Sequence, residues 1–295
     1  MTSKEQSLVS KLSKLNNYHV RNMYWLLFSP SPLAESNFQS YPLFPEKWMV
    51  ELASASTSFF AKLDANPKEL IAYLEAANTY RMGVYAEKLM AYFFDHFEGT
   101  KLLLMNHQLF DENRTIGEVD FVFEWNNRII HVELCVKYYL AANKTSEFAD
   151  WVGPSGKDNL AKKLDKAKTH QLPISKSEAF IKSTNLHCSS YLFLKGMFYI
   201  RESSFPQWKN EGISFRKYML FDEFLASDYQ QKGDVFLKRP NWMAALYIMN
   251  GEADRLPLEL DALKQLIQKY GALHIWSESD KTTFIVVKNG WPNLS

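Results

Sequence analysis

The sequence has little cysteine and no long apolar run. Its 295 residues include two cysteines, Cys135 and Cys188, which form no CxxC arrangement. Two cysteines are too few for a zinc site or a disulfide framework. The most apolar stretch, Tyr191 to Ile200, is interrupted by Lys195 and Gly196 and is shorter than the roughly 18 residues that a membrane helix needs. We therefore expect a protein that does not span a membrane.

An excess of charge of one sign is also missing. The chain has 34 Lys and Arg residues against 33 Asp and Glu residues, which gives a net charge of +1. Any attraction for nucleic acid must then come from a local patch, because the field of the whole chain is weak. The amino terminus lacks the basic flank and apolar core of a signal peptide. With the scarcity of cysteine, this leads us to expect a cytoplasmic location.

The composition is that of a globular protein with a large core. Hydrophobic residues make up 46% of the chain and charged residues 23%, which excludes disordered and collagen-like structure. Without repeats or low-complexity linkers, the chain is interpreted as one compact unit. We predict a helical region over residues 1–78, an α/β core over residues 79–200, and an α+β extension packed on that core over residues 201–295.

A long helix followed by a β-hairpin is predicted in the core. Apolar residues recur at helical spacing from Tyr80 to Phe97. Polar and apolar residues alternate from Thr115 to Trp125, and a second strand follows from Arg128 to Tyr139. Asn126-Asn127 between them tolerates the positive backbone angles of a two-residue turn. The first strand would carry Gly117, Val119, Phe121 and Phe123 on one face, and Glu118, Asp120 and Val122 on the other.

The hairpin would bring acidic side chains together. With the turn at Asn126-Asn127, Asp120 lies directly opposite Glu133, and such cross-strand Cβ atoms are about 4.5 to 5.5 Å apart. Like charges at that distance are destabilising unless a cation lies between them. Glu118 falls on the face of Asp120, and Lys137 on the face of Glu133. One patch of the sheet would therefore hold three carboxylates and an ammonium.

Clustered carboxylate oxygens suit a hard divalent cation. Mg²⁺ keeps several of its waters and completes its shell with substrate phosphate. We predict Glu118, Asp120 and Glu133 as metal ligands, and Lys137 as the residue that orients an attacking water or stabilises the transition state. Glu87, which shares a helix face with Gly83, becomes a fourth carboxylate if that face looks at the hairpin. Gly83 would then permit close approach of helix and sheet.

Simpler interpretations of these residues remain open. Asp120 and Lys137 can form solvated ion pairs of small worth on an exposed strand. Glu87 can be an exposed helix residue beside Lys88. The metal site is preferred because the apolar residues of both strands indicate a central hairpin, where water does not freely screen opposed carboxylates.

A lysine-rich helix is predicted from Lys157 to Gln171. Five lysines against two aspartates within it give a local charge of +3. Lysines of this kind position nucleic acid by contacting phosphates, without reading sequence. A solvated amphipathic helix is the alternative. The candidate nucleic-acid-binding residues are Lys157, Lys162, Lys163, His170 and Gln171.

These residues match the pattern of a known enzyme superfamily. Glu87, then Gly117 to Phe121, then His131-Val132-Glu133 with Lys137 resembles the active-site motif of the PD-(D/E)XK nucleases. In that motif a helix glutamate, a strand aspartate, and a glutamate and lysine on the next strand surround Mg²⁺. The resemblance implies a restriction-endonuclease-like α/β fold with a mixed sheet flanked by helices. It also implies Mg²⁺ or Mn²⁺ as cofactor and DNA or RNA as partner.

The wider pattern is similar to that of an uncharacterised bacterial family assigned to the same superfamily. The stretches that carry this similarity lie between about residues 20 and 175. They are Val20-Arg21-Asn22, Ser29-Pro30-Ser31-Pro32, Glu133 to Tyr139, Trp151-Val152-Gly153-Pro154 and His170-Gln171-Leu172-Pro173.

One position departs from the superfamily pattern. Glu-x-Lys is usual there, but Cys135 occupies the lysine place, and Lys137 comes about 6.6 Å further along the strand. Lys137 either leans back toward the metal or forms an inert salt bridge with Glu118. The first hypothesis is therefore a metal-dependent nuclease with Asp120, Glu133 and Lys137 as catalytic residues. The second is a nuclease-like fold without turnover that binds nucleic acid or protein.

Overall fold

The structure, a computed structural model, describes residues 1–37, 40–76, 81–111, 114–143, 145–201, 205–227, 234–239, 241–247, 254–255 and 259–293. The helices are α1 Ser3–Leu12, α2 Tyr18–Phe28, α3 Glu46–Ala55, α4 Thr57–Ala65, α5 Lys68–Glu75, α6 Met82–His96, α7 Leu160–Lys166, α8 Glu178–Thr184, α9 Phe221–Leu225 and α10 Leu260–Tyr270. The strands are β1 Thr100–Asp111, β2 Arg114–Trp125, β3 Arg128–Ala141, β4 Trp151–Val152, β5 Ser189–Ile200, β6 Arg216–Leu220, β7 Val235–Leu237, β8 Asp254–Arg255, β9 Ala272–Ser277 and β10 Thr282–Val287.

Within these ranges, ten strands form one mixed sheet in the order β1-β2-β3-β5-β6-β10-β9-β7-β8, with β4 paired to β3 beside this path. Strands β1, β2 and β3 are an antiparallel meander, whereas β5 lies parallel to β3 and β6 lies parallel to β5 and β10. The predicted class, a mixed α/β sheet flanked by helices, is confirmed. Among the described helices, none has the length and apolar character needed to cross a lipid bilayer.

The amino-terminal helices and α6 share one apolar core with the sheet. Phe94 of α6 stacks on Phe123 of β2, with ring centroids 3.9 Å apart. Trp25 of α2 and Val132 of β3 are buried in the same cluster. Apolar side chains therefore cover this face of β2 and β3, and a functional site is expected on the opposite face.

The β5–β6 junction is a narrow seam in the sheet. Among the described residues its ladder consists of two pairs, Tyr199↔Arg216 and Ile200↔Lys217. Side chains reinforce it: Tyr218 Oη donates to the Ala141 carbonyl oxygen at 2.6 Å, and Arg216 forms a buried ion pair with Glu5 at 3.0 Å. The strands beyond residue 205 thus extend the sheet across a short backbone connection.

The predicted hairpin is confirmed in position and register. Trp125 pairs with Arg128 and Phe121 with Val132, and Asn126 and Asn127 have φ angles of 50° and 58°. The predicted long helix corresponds to α6; its first predicted residue, Tyr80, lies outside the described residues. The lysine-rich helix is shorter than predicted, because α7 ends at Lys166 and passes into a π-helical turn, Ala167–Gln171.

The predicted strict alternation of β2 is wrong. Val119 packs in one apolar cluster with Val122, whereas Phe121 packs in the cluster that contains α6. The reason lies in β1, where Asn106 stands between the partners of Phe121 and Val119 and adopts a positive φ of 47°. Both strands twist at this level. The side chains of β2 before Asp120 therefore point to the faces opposite to those that strict alternation predicts.

Substitution of two glycines by alanine should change the stability of the protein in opposite directions. Gly196 in β5 has a φ of 145°, and a Cβ there would lie 1.6 Å from the Lys137 carbonyl oxygen. Gly196→Ala should lower the free energy of unfolding by more than about 2 kcal/mol.

Gly83 in α6 has no neighbouring atom within 4 Å of such a Cβ, so the expectation that it permits close helix–sheet approach is wrong. Gly83→Ala should raise the same quantity by about 0.5 to 1 kcal/mol.

Urea unfolding of the two variants, each compared with the unsubstituted protein, measures both effects. An unchanged midpoint for Gly196→Ala would contradict the close approach of β5 to the Lys137 carbonyl.

Candidate active site

The β2–β3 ladder ends where two carboxylates replace its hydrogen bonds. Beyond the pair Phe121↔Val132, the Asp120 carboxylate (Oδ2) accepts the backbone N–H of Leu134 at 2.8 Å. Glu133 Oε1 in turn accepts the backbone N–H of Asp120 at 3.4 Å. The structure therefore brings Asp120 and Glu133 together at the point where the strands part.

Burial disfavours the charged form of both carboxyl groups. Glu133 is fully buried and Asp120 is half-buried. Burial raises the pKa of Asp120 to about 7, and the neighbouring Glu133 charge adds to the shift. Burial likewise raises the pKa of Glu133 to about 7, against the opposing effects of its hydrogen bond with Asp120 and of the Lys163 charge. Both carboxyl groups therefore keep a proton to a higher pH than ordinary carboxyl groups do.

A buried histidine holds Glu133 in place. His131 Nε2 lies 2.9 Å from Glu133 Oε1, and its Nδ1 lies 2.9 Å from Ser175 Oγ. Burial lowers the pKa of His131 to about 4, so the ring is neutral at neutral pH and carries one N–H. The carboxylate takes that N–H at Nε2, and Nδ1 accepts from Ser175. Ser175 in turn lies 2.6 Å from Ser190 Oγ.

The order Ser175–His131–Glu133 is that of a nucleophile, base and acid in serine hydrolases. However, Ser175 is 2% exposed, and both His131 and Glu133 are 0% exposed. A substrate carbonyl cannot reach the Ser175 hydroxyl through that packing. We therefore interpret the network as a support for Glu133.

A glutamine and a lysine complete the surroundings of Glu133. Gln171 Nε2 donates to Glu133 Oε2 at 2.5 Å, and Lys163 Nζ donates to Gln171 Oε1 at 3.1 Å. Gln171 lies in the π-helical turn, closed by a hydrogen bond from the Leu172 N–H to the Ala167 carbonyl at 2.9 Å. Such turns are often found at functional sites. Sequence reasoning selected both side chains as nucleic-acid contacts and missed their link to the carboxylates.

Gly117 lets the segment after α7 approach β2. A Cβ at Gly117 would lie 2.2 Å from Ile174 Cδ1 and 3.4 Å from His170 Nε2. His170 therefore lies beside β2. It is exposed, as are the other predicted nucleic-acid contacts, Lys157 and Lys162.

Lys137 does not make either of the contacts expected of it. Lys137 Nζ donates to Asp158 Oδ2 at 2.5 Å, and Tyr139 Oη donates to the same oxygen at 3.1 Å. The expected alternatives, contact with the metal ligands or a salt bridge with Glu118, are replaced by this pair. β2 turns away at Asp120, so Glu118 no longer lies across from β3. Burial raises the pKa of Cys135 to about 11, so its thiol is neutral.

The four predicted metal ligands are not assembled into one cluster. Glu118 is exposed, and Glu87 is half-buried and accepts from Asn106 Nδ2 at 3.3 Å. Burial raises the pKa of Glu87, and the charges of Asp120 and Glu118 add to the shift, so Glu87 looks toward Asp120 from the α6 side. Glu133 faces the α7 side instead. Across the described part of the chain, no three His, Cys, Asp or Glu side chains are arranged to hold a metal ion.

The chain belongs to a family described as a domain of unknown function, DUF1853, whose model matches residues 21–273. The matched region includes the carboxylate pair, α7 and the π-helical turn. The predicted membership of an uncharacterised domain family is thereby confirmed. No curated protein and no solved structure matches the chain.

The raised pKa of Asp120 makes stability depend on pH. Between its ordinary value of 3.8 and about 7, the folded state keeps a proton that the unfolded state loses. The free energy of unfolding therefore falls as pH rises through this window. Asp120→Asn keeps the acceptor for the Leu134 N–H without the charge. In buffer with a chelator, we expect Asp120→Asn to raise the free energy of unfolding relative to the unsubstituted protein at pH 8. This gain should be larger at pH 8 than at pH 4 by about 1 to 3 kcal/mol.

Gly83→Ala, which changes no titrating group, is the control, and its effect should be equal at the two pH values. Glu133→Gln is less suitable, because its amide N–H₂ would face a donor, either His131 Nε2 or Gln171 Nε2. Equal effects of Asp120→Asn at pH 4 and pH 8 in urea unfolding would rule out the raised pKa of Asp120.

Proposed function

We propose that this protein is a divalent-metal-dependent nuclease that hydrolyses phosphodiester bonds in DNA or RNA. The observation that carries the proposal is the Asp120–Glu133 pair. Two carboxyl groups from neighbouring strands are held together against their mutual repulsion, and one of them is accessible. Groups with strongly shifted pKa values and a specific charged neighbour are typical of functional sites.

The chemistry of the pair fits a hard cation. Mg²⁺ is usually held by one or two protein carboxylates, with waters and substrate phosphate completing its shell. Asp120 and Glu133 would hold Mg²⁺ or Mn²⁺, and Glu87 on the other side of Asp120 is a further oxygen donor nearby. When bound, such an ion lowers the pKa of water and neutralises charge on the phosphate.

The residues around the pair keep it in a fixed geometry. His131 and Gln171 each bind one oxygen of Glu133, and the Leu134 N–H binds Asp120. Groups fixed before the substrate arrives need no reorganisation during the reaction. Lys163 and Lys166 lower the pKa of Glu133, so positive charge lies on the side from which a phosphate would approach.

Placement of the family in the PD-(D/E)XK superfamily is part of this proposal. It is supported by the order of Glu87 on a helix, Asp120 on the next-but-one element and Glu133 on the following strand of a mixed sheet. A cytoplasmic location, where nucleic acid is present, is proposed on the same basis.

A nucleic-acid-binding module without turnover is the second candidate. It is favoured by the ion pair that engages Lys137 with Asp158 and by the neutral Cys135 at the usual lysine place. Such a module would bind nucleic acid without metal, with an affinity that falls as salt increases.

The test is cleavage of labelled single- and double-stranded DNA and RNA by the purified protein with Mg²⁺ or Mn²⁺. We expect cleavage that a chelator abolishes and that Asp120→Asn lowers by at least about 100-fold, since a charge aimed at the reacting centre is lost. Glu124→Gln is the control and should cleave like the unsubstituted protein. If the protein binds nucleic acid without metal, with an affinity that falls as salt increases, and cleaves none of the substrates, the result rejects the nuclease and supports the binding module.

A further inference from the structure

Lys163 carries a charge that is not neutralised by a direct ion pair. Its ammonium donates to the neutral amide oxygen of Gln171 at 3.1 Å, and within the described part of the chain no salt bridge includes it. Lys137, by contrast, is 2.5 Å from the Asp158 carboxylate. Of the two lysines, Lys163 is thus the one whose charge is available to another group.

The position of Lys163 is next to both strands of the carboxylate pair. Its charge is the foremost cationic influence on Asp120 in β2 and on Glu133 and Cys135 in β3. Leu160 and Leu164 of α7 pack in one cluster with Cys135 of β3, and Lys163 binds Gln171, which binds Glu133. The half-buried side chain is therefore held beside the carboxylate pair.

Gln171 keeps Lys163 and Glu133 apart. Its amide donates to Glu133 Oε2 on one side and accepts from Lys163 on the other. A direct Lys163–Glu133 ion pair would consume both the ammonium and a carboxylate oxygen. The neutral amide prevents this and leaves each charge for its own partner. The π-helical turn delivers Gln171 to this position.

We propose that Lys163 contacts the phosphate of a phosphodiester substrate at this site, and that Gln171 is the positioning residue that keeps its ammonium free to do so. This inference rests on the proposed function, which supplies the phosphodiester at the Asp120–Glu133 pair. An ammonium is a compact point charge suited to a phosphate oxygen.

The first experiment compares Lys163→Met with Lys62→Met, which removes the same charge from an exposed position of α4. Inorganic phosphate with Mg²⁺ is the binding probe, measured by titration calorimetry. DNA and RNA oligonucleotides of one sequence are the cleavage substrates and distinguish the two sources of the phosphodiester. Lys163→Met should weaken phosphate binding at least about tenfold and lower kcat at least about 100-fold. Lys62→Met should change each less than about threefold.

The second experiment tests the role of Gln171. Gln171→Met allows Lys163 to pair directly with Glu133, so phosphate binding should weaken about as much as in Lys163→Met. Adding Lys163→Met to Gln171→Met should then have little further effect, because both substitutions remove the same interaction. Independent, additive losses would mean that Gln171 does not act through Lys163.

The outcomes separate this inference from the proposed function. Cleavage and phosphate binding by Lys163→Met at the level of the unsubstituted protein would overturn the role of Lys163 and leave the nuclease standing. Phosphate binding that depends on Lys163, in a protein that cleaves neither DNA nor RNA, would support the contact and reject the nuclease. Absence of phosphate binding by the unsubstituted protein would overturn the contact.

Discussion

The hydrogen bond from the Leu134 N–H to the Asp120 carboxylate determines how the rest of the site is built. A backbone N–H buried in a sheet needs an acceptor, and here a side chain takes the place of a strand carbonyl. The β2–β3 ladder can therefore end in the middle of the sheet without an orphaned donor. Glu133 then meets Asp120 instead of a ladder partner. His131 and Gln171 stabilise the resulting buried carboxyl group by binding one oxygen each.

The polar network lies on one side of β3 only. Val132 and Tyr138 contribute to the core shared with the amino-terminal helices, whereas His131 and Glu133 lie on the other side. Cys135 on that second side packs in an apolar cluster with α7. The raised pKa values of the buried carboxyl groups cost stability at neutral pH, and apolar packing on both sides of β3 offsets this cost.

The hairpin and the meeting of Asp120 with Glu133 could be predicted from the sequence, because turn chemistry and residue alternation are local signals. The exchange of faces in β2 could not, since it depends on the positive φ of Asn106 in a strand that gave no clear pattern of its own. The Lys137–Asp158 pair depends on a loop distant in sequence. The approach of Gln171 depends on a π-helical turn, and its five residues are too few to distinguish by pattern from a helix that simply continues.

Side chains hold the narrow β5–β6 seam together. Two backbone pairs span it, against eleven between β3 and β5. Tyr199 Oη of β5 lies 3.0 Å from His274 Nε2 of β9, and Ile285 of β10 shares one core cluster with Phe121 and Val132. The two parts of the sheet therefore depend on shared apolar burial, so a substitution in the carboxyl-terminal strands would also lower the stability of the strands that carry the carboxylate pair.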